Sequence, residues 1–401
     1  MKVNTLSFTN FRSFSQYTIS DVSPTISIIC APNGSGKSNL LEGLFITATG
    51  SSPRTHMISE TIHWGSQFAR IATRLPGNEI VTIIKPSGRQ ILLNKKKGTF
   101  PEVNRLISAV LFQPSDLNLL AGSPSIRRQY LDRLIGQISY EYLYALAKLR
   151  HLLKQRNELL KNHAQTSYYL AIEEQLAQFM AEIVSFRLLY VEILNKYLKS
   201  SHMEIDYAVN PKSMRELLLE SLRELRAVIG RDVENQSLGG DLRQAHAMRE
   251  SMRELLRELL REKLQSLRSK EETIGFTLIG PQRDDFTLFE NALDHPDGRK
   301  DICTYGSRGE QRLAVVTLKS VECRLLTVTH DDPPLLLLDD VFSELDSKNQ
   351  NIILSLVQTQ QTIITTADDS FPARFTADFP HNSSGINNDS IIKEEITQIY
   401  L

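Results

Sequence analysis

Residues 31–38 read Ala-Pro-Asn-Gly-Ser-Gly-Lys-Ser, and they connect the apolar run Ile26–Cys30 to a helix-forming run at 39–46. A glycine-rich loop between a buried strand and a helix is the arrangement that cradles nucleotide phosphates. The usual pattern begins with Gly where this chain has Ala31, and Ala fits at a strand end if its φ stays negative. A flexible loop that merely contains Gly-Lys-Ser is the alternative, and the flanking strand and helix argue against it.

Each residue type in this loop has a separate role in binding a nucleotide. Gly34 and Gly36 let backbone N–H groups converge on the β-phosphate, and Lys37 neutralises oxygens of the β- and γ-phosphates. The Ser38 hydroxyl is placed to ligate Mg²⁺. We therefore predict a nucleotide site that comprises Asn33, Gly34, Ser35, Gly36, Lys37, Ser38 and Asn39.

A second candidate stretch lies near the other end of the chain. Residues 333–340 read Pro-Pro-Leu-Leu-Leu-Leu-Asp-Asp, which is too short to cross a membrane but suits a buried parallel strand. The carboxyl end of such a strand faces the ligand in an α/β sheet. Asp339 then suits Mg²⁺, and Asp340 suits orienting or deprotonating an attacking water. By itself an acidic strand end is more often a turn or a helix cap, and the loop at 31–38 favours the catalytic interpretation.

The composition limits the classes of protein to which the chain can belong. The 401 residues suffice for two substantial lobes, and 46 Lys and Arg against 47 Asp and Glu leave a net charge of −1. Any nucleic-acid contact must therefore come from local basic patches. Cys30, Cys303 and Cys323 show no zinc-site or disulfide spacing, which indicates a reducing compartment. Since the sequence has neither a signal-peptide core nor a transmembrane run, we expect a soluble cytoplasmic protein.

Hydrophobic periodicity divides the chain into strand-rich and helical segments. Short strands are expected at 5–8, 25–30, 68–75, 79–85 and 89–94. Three- and four-residue spacing of apolar side chains predicts helices over 125–200 and 213–270. Strands are expected again at 274–279 and 286–290, and helix and strand follow to residue 366. The tail from Phe371, including 382–388, is expected to form a loop or to be partly disordered.

The loop at 31–38 and the acidic strand lie on opposite sides of this helical stretch, yet both must reach one nucleotide. The sequence therefore predicts an α/β fold in which a discontinuous nucleotide domain carries a helical insertion lobe. The expected boundaries are 1–124 for the N-terminal part of the domain, 125–273 for the lobe, 274–370 for the C-terminal part and 371–401 for the tail.

Within the second helical stretch, arginines and glutamates form parallel rows. Arg253, Arg257 and Arg261 recur every four residues beside a similar row of glutamates, and leucines occupy another face. We expect a solvated amphipathic helix whose charges pair with one another.

Residues 305–312 read Tyr-Gly-Ser-Arg-Gly-Glu-Gln-Arg and lead into an apolar helix. The run resembles the signature loop of ABC-type ATPases, whose pattern is Leu-Ser-Gly-Gly-Gln. Gly306 and Arg308 stand in place of the Leu and the first Gly. The resemblance implies that the loop contacts the γ-phosphate held by an opposite subunit, so that ATP joins a dimer. The residues concerned are Ser307, Arg308, Gly309, Glu310 and Gln311.

Two further loops resemble those of ABC-type ATPases. Leu-Phe-Gln-Pro at 111–114 is similar to a Q-loop, which implies that Gln113 reaches Mg²⁺ or the lytic water. Val-Phe-Ser-Glu-Leu-Asp at 341–346 is similar to the D-loop at a dimer seam. Asp340 stands where transporters have Glu, and because its carboxylate is shorter we expect slow hydrolysis. The strand at 362–366 ends in Ala-Asp, where a transporter subunit would have a switch histidine, so a transport motor fits poorly.

More specific runs are similar to one family, the bacterial RecF recombination-mediator proteins. The family usually has His where this chain has Gln282. In family order, the runs are Asn-Phe-Arg-Ser-Phe at 10–14, Lys-Ser-Asn-Leu-Leu-Glu at 37–42, Ala-Thr-Gly-Ser-Ser-Pro-Arg at 48–54, Pro-Ser-Asp-Leu at 114–117, Gly-Ser-Pro-Ser-Ile-Arg-Arg-Gln-Tyr-Leu-Asp at 122–132, Gln-Arg-Asn-Glu-Leu-Leu-Lys at 155–161 and Gly-Phe-Thr-Leu-Ile-Gly-Pro-Gln-Arg-Asp-Asp at 275–285.

The resemblance implies a P-loop ATPase head of the SMC-like ABC type, with a helical insertion lobe in place of a long coiled coil. It implies a weak DNA-dependent ATPase that uses ATP and Mg²⁺, forms an ATP-dependent homodimer and binds double-stranded DNA and single-strand gaps. With a RecR-type partner, such a protein helps recombinase to replace single-strand-binding protein. Arg12, in the first family run, is expected at the nucleotide. A nucleotide-gated structural module with vestigial hydrolysis is the alternative.

DNA contacts are expected from local basic groups. Lys95, Lys96 and Lys97 lie at a predicted hairpin tip, where they can follow phosphates or form an ordinary solvated loop. Arg127 and Arg128 either touch DNA or brace the first helix of the insertion, and bracing is the preferred interpretation.

Overall fold

The computed structural model of the chain describes residues 2–163, 165–230, 239–292, 298–343, 345–378 and 396–400. The chain forms two compact units, which we call the first unit (Met1–Asp116 with Val315–Leu401) and the second unit (Leu117–Ala314). The first unit is therefore discontinuous in sequence, and the second is inserted into it. None of the described helices is long and apolar enough to cross a membrane.

Runs of strands and runs of helices follow one another along the described residues. In chain order, the strands are β1 (Thr5–Phe11), β2 (Phe14–Ile19), β3 (Ile26–Cys30), β4 (Ala69–Leu75), β5 (Asn78–Lys85), β6 (Gly88–Leu93), β7 (Lys96–Lys97), β8 (Ala109–Phe112), β9 (Met203–Ala208), β10 (Asp285–Asn291), β11 (Arg299–Asp301), β12 (Leu335–Asp339), β13 (Thr362–Thr366) and β14 (Ile396–Tyr400). The helices are α1 (Lys37–Thr49), α2 (Phe100–Asn104), α3 (Asn118–Ala121), α4 (Pro124–Ile138), α5 (Tyr140–Lys161), α6 (Thr166–Leu198), α7 (Ser213–Leu217), α8 (Leu219–Gly230), α9 (Gly239–Ile274), α10 (Ile302–Tyr305), α11 (Arg308–His330), α12 (Ser347–Val357) and α13 (Phe371–Asp378).

The predicted α/β fold is confirmed, but the predicted strand at 274–279 is wrong. Helix α9 runs to Ile274, and the backbone that follows bonds to side chains instead of to a sheet. Thr277 N–H donates to Asn157 Oδ1 at 2.9 Å, and Leu278 N–H donates to Glu271 Oε1 at 2.6 Å. Side-chain acceptors have therefore taken the place of a partner strand.

The prediction of a loop from Phe371 onward is also wrong. Helix α13 begins at Phe371, and β14 pairs in parallel with β3. This pairing joins the two ends of the chain, a contact that local composition cannot reveal. The part of the predicted loop at 382–388 lies outside the described residues. Strand β9, which no prediction anticipated, alternates buried and half-buried side chains and pairs with β10.

The observed boundaries of the second unit, Leu117 and Ala314, differ from the predicted boundaries at 125 and 274. The reason is a three-stranded sheet in the order β11-β10-β9, in which both pairs are antiparallel. It ties residues 285–301 to the strand at Met203–Ala208, so the segment that was expected to return to the nucleotide domain packs with the helical lobe. The first unit resumes only at Val315, within α11.

The first unit contains a five-stranded sheet in the order β14-β3-β13-β12-β8, and every pair in it is parallel. Strands β3, β8 and β13 are buried along their whole length, as the near-continuous apolar runs of a parallel sheet require. Because all the strands run the same way, their carboxyl ends meet at a single edge.

Helix α1 links this sheet to a six-stranded antiparallel sheet in the order β2-β1-β4-β5-β6-β7. It contacts β4 and β5 of one sheet and β8, β12 and β13 of the other, and nearly all of its residues from Leu40 to Ala48 are buried. A helix with apolar side chains all round suits this double contact. A Cβ at Gly43 would lie 2.3 Å from Phe8 Cε1, so only glycine lets β1 approach so closely.

The predicted pairing of charges on α9 is confirmed, with one addition. Arg253 and Arg257 pair with glutamates of α9 itself, including Glu254. They also reach two glutamates of α6, since Arg253 Nη1 lies 3.1 Å from Glu182 Oε2 and Arg257 Nη2 lies 2.8 Å from Glu174 Oε1. The charged row therefore also connects α9 to α6.

A buried ion cluster joins three helices of the second unit. Arg156 on α5 is completely buried, and its guanidinium lies 2.8 Å from Glu173 Oε1 on α6 and 2.7 Å from Glu271 Oε2 on α9. Arg156 Nη1 also donates to Thr277 Oγ1 at 2.9 Å. Buried charges of this kind are tolerated only when each has its partners.

We expect Arg156→Leu to lower the free energy of unfolding of the second unit by about 3–5 kcal/mol, because the buried Glu271 carboxylate loses its cation and Glu173 keeps only Arg268. The urea midpoint of the full chain, followed by circular dichroism, measures the loss. Arg257→Leu is the control, because it removes an arginine of the half-buried charged row whose glutamate partners are themselves exposed to solvent, and it should leave the midpoint almost unchanged. Equal midpoints for the two variants would contradict this role of Arg156.

Candidate nucleotide-binding site

The carboxyl edge of the parallel sheet collects the sequence-predicted residues of the first unit. Strand register places Cys30 opposite Thr366 and Asp339 opposite Thr365. The loop at 31–36 follows β3, and Gln113 follows β8, next to β12. Strand order thus brings the glycine-rich loop, the two aspartates and the glutamine to one edge, where α/β sheets bind ligands.

The glycine-rich loop has the backbone conformation that its glycines predict. Gly34 has φ 86° and Gly36 has φ 108°, values in the region that favours glycine. A Cβ at Gly36 would lie 2.8 Å from Phe14 Cζ and 2.9 Å from Ser13 Oγ. Gly36 is also the N-cap of α1, so the backbone N–H groups of the first helical turn open toward the loop.

Two polar side chains of the loop are buried. Lys37 is only 6% exposed, and its Nζ donates to the carbonyls of Ala31 at 2.5 Å and Pro32 at 2.9 Å. Ser35 Oγ is buried and has no hydrogen-bond partner among the described residues. Since buried polar atoms normally have a partner, Ser35 fits a loop that closes around a further polar group such as a phosphate.

Asp340 follows β12 in a strained backbone conformation. Its φ is 51°, which is uncommon outside glycine, and its N–H donates to Thr365 O at 3.1 Å. Burial raises the pKa of the Asp340 carboxyl; the Lys37 ammonium opposes this rise, and Asp339 adds to it. A raised pKa makes Asp340 a stronger base than an ordinary aspartate, in keeping with its predicted role.

The donors near the strand ends fit Mg²⁺. Asp339 ends β12, and its Oδ1 accepts a hydrogen bond from Thr365 Oγ1 at 2.8 Å. Ser38, Asp339 and Gln113 offer a hydroxyl, a carboxylate and an amide oxygen, all hard ligands of the kind Mg²⁺ prefers. The described residues contain no cluster of three or more His, Cys, Asp or Glu side chains that could hold a metal. A Mg²⁺ with one carboxylate and nucleotide phosphates as ligands does not need such a cluster.

The loop that carries Gln113 is fixed by two residues that sequence reasoning missed. Gln113 N–H donates to Asp116 Oδ2 at 2.8 Å. Lys319 on α11 is nearly buried; its Nζ lies 3.3 Å from Asp116 Oδ2 and also donates to Leu111 O. No local pattern links residues so far apart in sequence, so this support becomes visible only in the fold.

Arg12, predicted at the nucleotide, is held by the buried carboxylate of Glu42. Its Nε and Nη2 donate to Glu42 Oε2 at 2.9 Å and Oε1 at 2.6 Å. Ser52 Oγ donates to the same carboxylate at 2.5 Å. Glu42 is thus a positioning residue beside the phosphate loop, and whether Arg12 also touches nucleotide stays a prediction.

Asn39 belongs to the same polar network. Its Nδ2 donates to Ser13 Oγ at 2.9 Å, and its Oδ1 accepts from Arg54 Nη1 at 2.8 Å. Glu42 and Arg54 occur in runs that are similar to those of the RecF family, but the sequence alone does not say what they do. Their role is visible only in their contacts with residues 15 to 30 positions away in the chain.

The signature-like loop lies in the second unit and begins α11. Ser307 and Glu310 form reciprocal bonds, since Ser307 N–H donates to Glu310 Oε2 at 2.6 Å and Glu310 N–H donates to Ser307 Oγ at 3.3 Å. This is a capping box. Gln311 Nε2 donates to the carbonyls of Ile302 and Cys303. Arg308 and Gly309 are exposed.

The D-loop-like run at 341–346 begins as a 3₁₀ turn, and Glu344 lies outside the described residues. Asp346 Oδ1 accepts from Asn349 N–H at 2.9 Å and caps α12. The loop after β13 also reaches the site, because the Ala367 N–H bonds to the Asp340 carboxylate.

Comparison with known proteins identifies the family. The DNA replication and repair protein RecF of Lactobacillus johnsonii is 33% identical over 371 residues, which cover 90% of this chain and 90% of that protein. The chain belongs to the RecF family. The family model described as RecF/RecN/SMC N terminal domain matches residues 2–377.

Other relatives agree with this assignment. The RecF protein of Staphylococcus aureus is 33% identical over 377 residues, which cover 91% of this chain and 93% of its own. A solved structure of the recombination mediator protein RecF with ATP, described as part of the RecFOR pathway, has a TM-score of 0.71 and 26% identity, and covers 92% of both chains.

Several RecF-family runs meet inside the second unit. Arg127 binds Asp285 with two bonds of 2.6 and 2.9 Å, and Arg128 donates to Asp284 O at 2.8 Å. Asp284 is buried near Arg187, while Arg283 donates to a backbone carbonyl instead of pairing with its acidic neighbours. The arginines of the run at 122–132 therefore brace the lobe, and DNA contact by Arg127 or Arg128 stays a prediction.

The predicted lysine hairpin and Gln282 differ in their exposure to solvent. Lys95, Lys96 and Lys97 are exposed at the β6–β7 hairpin, whose turn residues Asn94 and Lys95 have φ values of 51° and 68°. Their availability suits contact with phosphate, which stays a prediction. Gln282, which replaces the usual His, is half-buried, and its Nε2 donates to Ile279 O at 2.6 Å.

The capping box gives a pH prediction. Hydrogen bonds from Lys300 lower the pKa of Glu310 to about 2, and the bonds with Ser307 add to the effect. A lowered pKa stabilises the fold above the ordinary value of 4.5, and this stabilisation is lost as the pH falls toward 2. We expect Glu310 to remain ionised at pH 3.5 by carboxyl NMR, and Lys300→Ala to raise its midpoint. A protonated Glu310 at pH 3.5 in the unmodified chain would contradict this geometry.

Proposed function

We propose that this protein is an ATP-dependent DNA-binding protein of recombinational repair and replication-gap processing. ATP binding drives its dimerisation on DNA, and slow hydrolysis resets the dimer. The observation that carries the proposal is the single sheet edge at which the phosphate loop, Asp339, Asp340 and Gln113 converge. Membership of the RecF family adds DNA and recombination to the nucleotide chemistry of that edge.

The chemistry follows from the residues at the edge. Loop N–H groups and Lys37 bind the phosphates, while Ser38, Asp339 and Gln113 would hold Mg²⁺, which would neutralise phosphate charge. Asp340 orients a water for attack and accepts its proton as the bond to the γ-phosphorus forms and ADP leaves. The short Asp340 side chain keeps this step slow, so the ATP-bound form lasts long enough to act as a clamp.

The dimer completes the site in this proposal. The Ser307 loop lies at the N-terminus of α11, where backbone N–H groups and the helix dipole favour an anion. We assign to it the γ-phosphate held by a second copy of the chain. Relatives described within the RecFOR pathway support a RecR-type partner and a role in loading recombinase at single-strand gaps. A cytoplasmic location fits these partners.

The second candidate is a nucleotide-gated structural module with vestigial hydrolysis. The observation that favours it is the strained, short Asp340 where faster ATPases have Glu. Single-turnover hydrolysis with and without DNA separates the two, because only the clamp needs DNA to change the hydrolysis rate.

We expect Asp340→Asn to bind Mg-ATP normally but to hydrolyse it at least about 100-fold more slowly, because the general base is lost. The variant should remain on DNA as an ATP-bound dimer. Asp331→Asn is a matched control, since Asp331 precedes the same strand and has φ 52°. Hydrolysis at the parental rate in Asp340→Asn would remove Asp340 from the proposed mechanism.

Ser307→Arg tests the composite site. A bulky cation blocks approach of a facing subunit, while the pocket of Lys37 and Asp339 is untouched, so we expect normal ATP affinity but no ATP-induced dimer by light scattering. Lys37→Ala should differ from Ser307→Arg in ATP affinity, which should fall well over tenfold, and the ATP-induced dimer should be lost with it.

Ser139→Arg controls for the loss of a helix cap, because Ser139 Oγ accepts from Tyr142 N–H at the start of α5. It should dimerise on ATP like the parent. A Ser307→Arg protein that still dimerises would show that the loop only begins a helix.

A further inference from the structure

Helix α5 presents a row of basic side chains without ion-pair partners among the described residues. Arg150, Lys154 and Lys161 are all exposed. At 100° per residue they lie within about 40° of one another and span about 16 Å along the helix. The arginine row of α9 differs, because Arg257 and its neighbours there are paired with glutamates. Of these two rows, the one on α5 therefore offers positive charge that is free to meet a ligand, although Glu158 interrupts it.

An aromatic cavity lies at the N-terminal end of the same helix. Its volume is about 340 Å³, and Tyr140, Tyr144 and Phe179 form its aromatic wall. The two tyrosine rings lie 6.4 Å apart, and Tyr144 meets Phe179 edge-on at 6.0 Å. Tyr140 and Tyr144 are 56% and 46% exposed, although large aromatic side chains of this kind are usually covered. The cavity has room for about one planar ring system with its polar edge.

The polar lining of the cavity includes two arginines and three acidic side chains, because Glu141 lines it as well as Glu182 and Glu250. Arg249 is only 5% exposed and stacks 3.9 Å above Phe186. Arg249 pairs with Glu182 at 2.8 Å and also with Glu250. Arg253 pairs with the same two glutamates, so both of these carboxylates are neutralised. The Arg249 Nε–H has no acceptor among the described residues.

We propose that the exposed side of α5, where the basic row and the cavity lie on adjoining flanks of the helix, binds single-stranded DNA. One unstacked base enters the cavity beside Tyr140 and Tyr144, and the adjoining phosphates follow Arg150, Lys154 and Lys161. The proposal rests on the DNA-binding function proposed above and adds a site for it outside the nucleotide edge.

Chemistry favours this ligand over the other classes that could cover such a surface. Every base has a face that stacks on tyrosine, and a basic groove tracks the backbone of a single strand. Bases in a duplex are stacked on each other and cannot enter a cavity without leaving the helix. A basic peptide would meet the free cations of α5 with like charge. An acidic peptide shares the charge of DNA but not its series of stacking rings. The polyglutamate competition described below distinguishes the two ligands.

The test measures fluorescence anisotropy of the full chain, with ATP and with ADP, on oligothymidine and on an abasic strand of equal length. We expect oligothymidine to bind about tenfold or more tightly than the abasic strand, because stacking of a base on an aromatic ring is lost in the latter. Tyr140→Ala with Tyr144→Ala should abolish this preference. Tyr168→Ala is the matched control, since Tyr168 is 61% exposed on α6.

A second arm tests the phosphate row. Replacing Arg150, Lys154 and Lys161 with Ala should weaken binding to both strands and reduce the salt slope by about 2, because three phosphate contacts each contribute about 0.7. Lys263→Ala with Lys270→Ala is the control, because these exposed lysines have the i, i+7 spacing of Lys154 and Lys161 on another helix of the unit. It should leave affinity and slope unchanged.

The outcomes separate this site from the proposed function. If the unmodified chain binds no DNA, the proposed function fails first. If it binds DNA and both α5 variants bind equally well, this site is wrong while the function stands. Loss of binding only when Lys95, Lys96 and Lys97 are replaced places the DNA on the β6–β7 hairpin instead. Displacement by polyglutamate together with equal affinity for abasic and thymidine strands would identify an acidic-polypeptide surface and overturn the base-binding cavity.

Discussion

The parallel pairing of β13 between β3 and β12 is the constraint on which the nucleotide site depends. Adjacent strands lie about 4.8 Å apart, so β3 and β12 are separated by about 10 Å across β13. That spacing sets the glycine-rich loop and the two aspartates on either side of the position proposed for one nucleotide. The electrostatic influence of Lys37 on Asp340 shows that the two halves of the site already act on each other. A slip of β13 by one residue would turn its buried side chains to the opposite face and break this alignment.

Strain and capping prepare the two ends of the proposed reaction path. Asp340 occupies a backbone conformation that costs energy, and the bond from its N–H to Thr365 O holds it there. Ser307 and Glu310 cap α11 through reciprocal bonds, and the Ser307 side chain also bonds to the Glu310 carboxylate. The N-terminus of the helix is therefore already held in place before any ligand approaches it.

Sequence reasoning was strongest where function depends on a short local pattern. The glycine-rich loop and the acidic strand end were identified from consecutive residues, and the parallel sheet places them as predicted. The residues it missed act through distant contacts: Glu42 holds Arg12, and Lys319 holds the loop of Gln113. Strand β9 was missed because its partner β10 lies about 80 residues later, and the strand predicted at 274–279 failed because side chains satisfied its backbone. Periodicity reports which face is buried, but it cannot report which distant group buries it.

The strand order of the parallel sheet also affects how the chain folds during its synthesis. Strand β3 leaves the ribosome early, while β13 is completed only after residue 366. At bacterial rates of about 5–20 residues per second, β3 waits roughly 20 to 60 seconds for its neighbour. The second unit is continuous in sequence and can close its own core during that interval. Nascent chains therefore pass through a stage in which the second unit is folded while an apolar strand of the parallel sheet is still unpaired. Such an exposed apolar strand is a binding site for chaperones during synthesis.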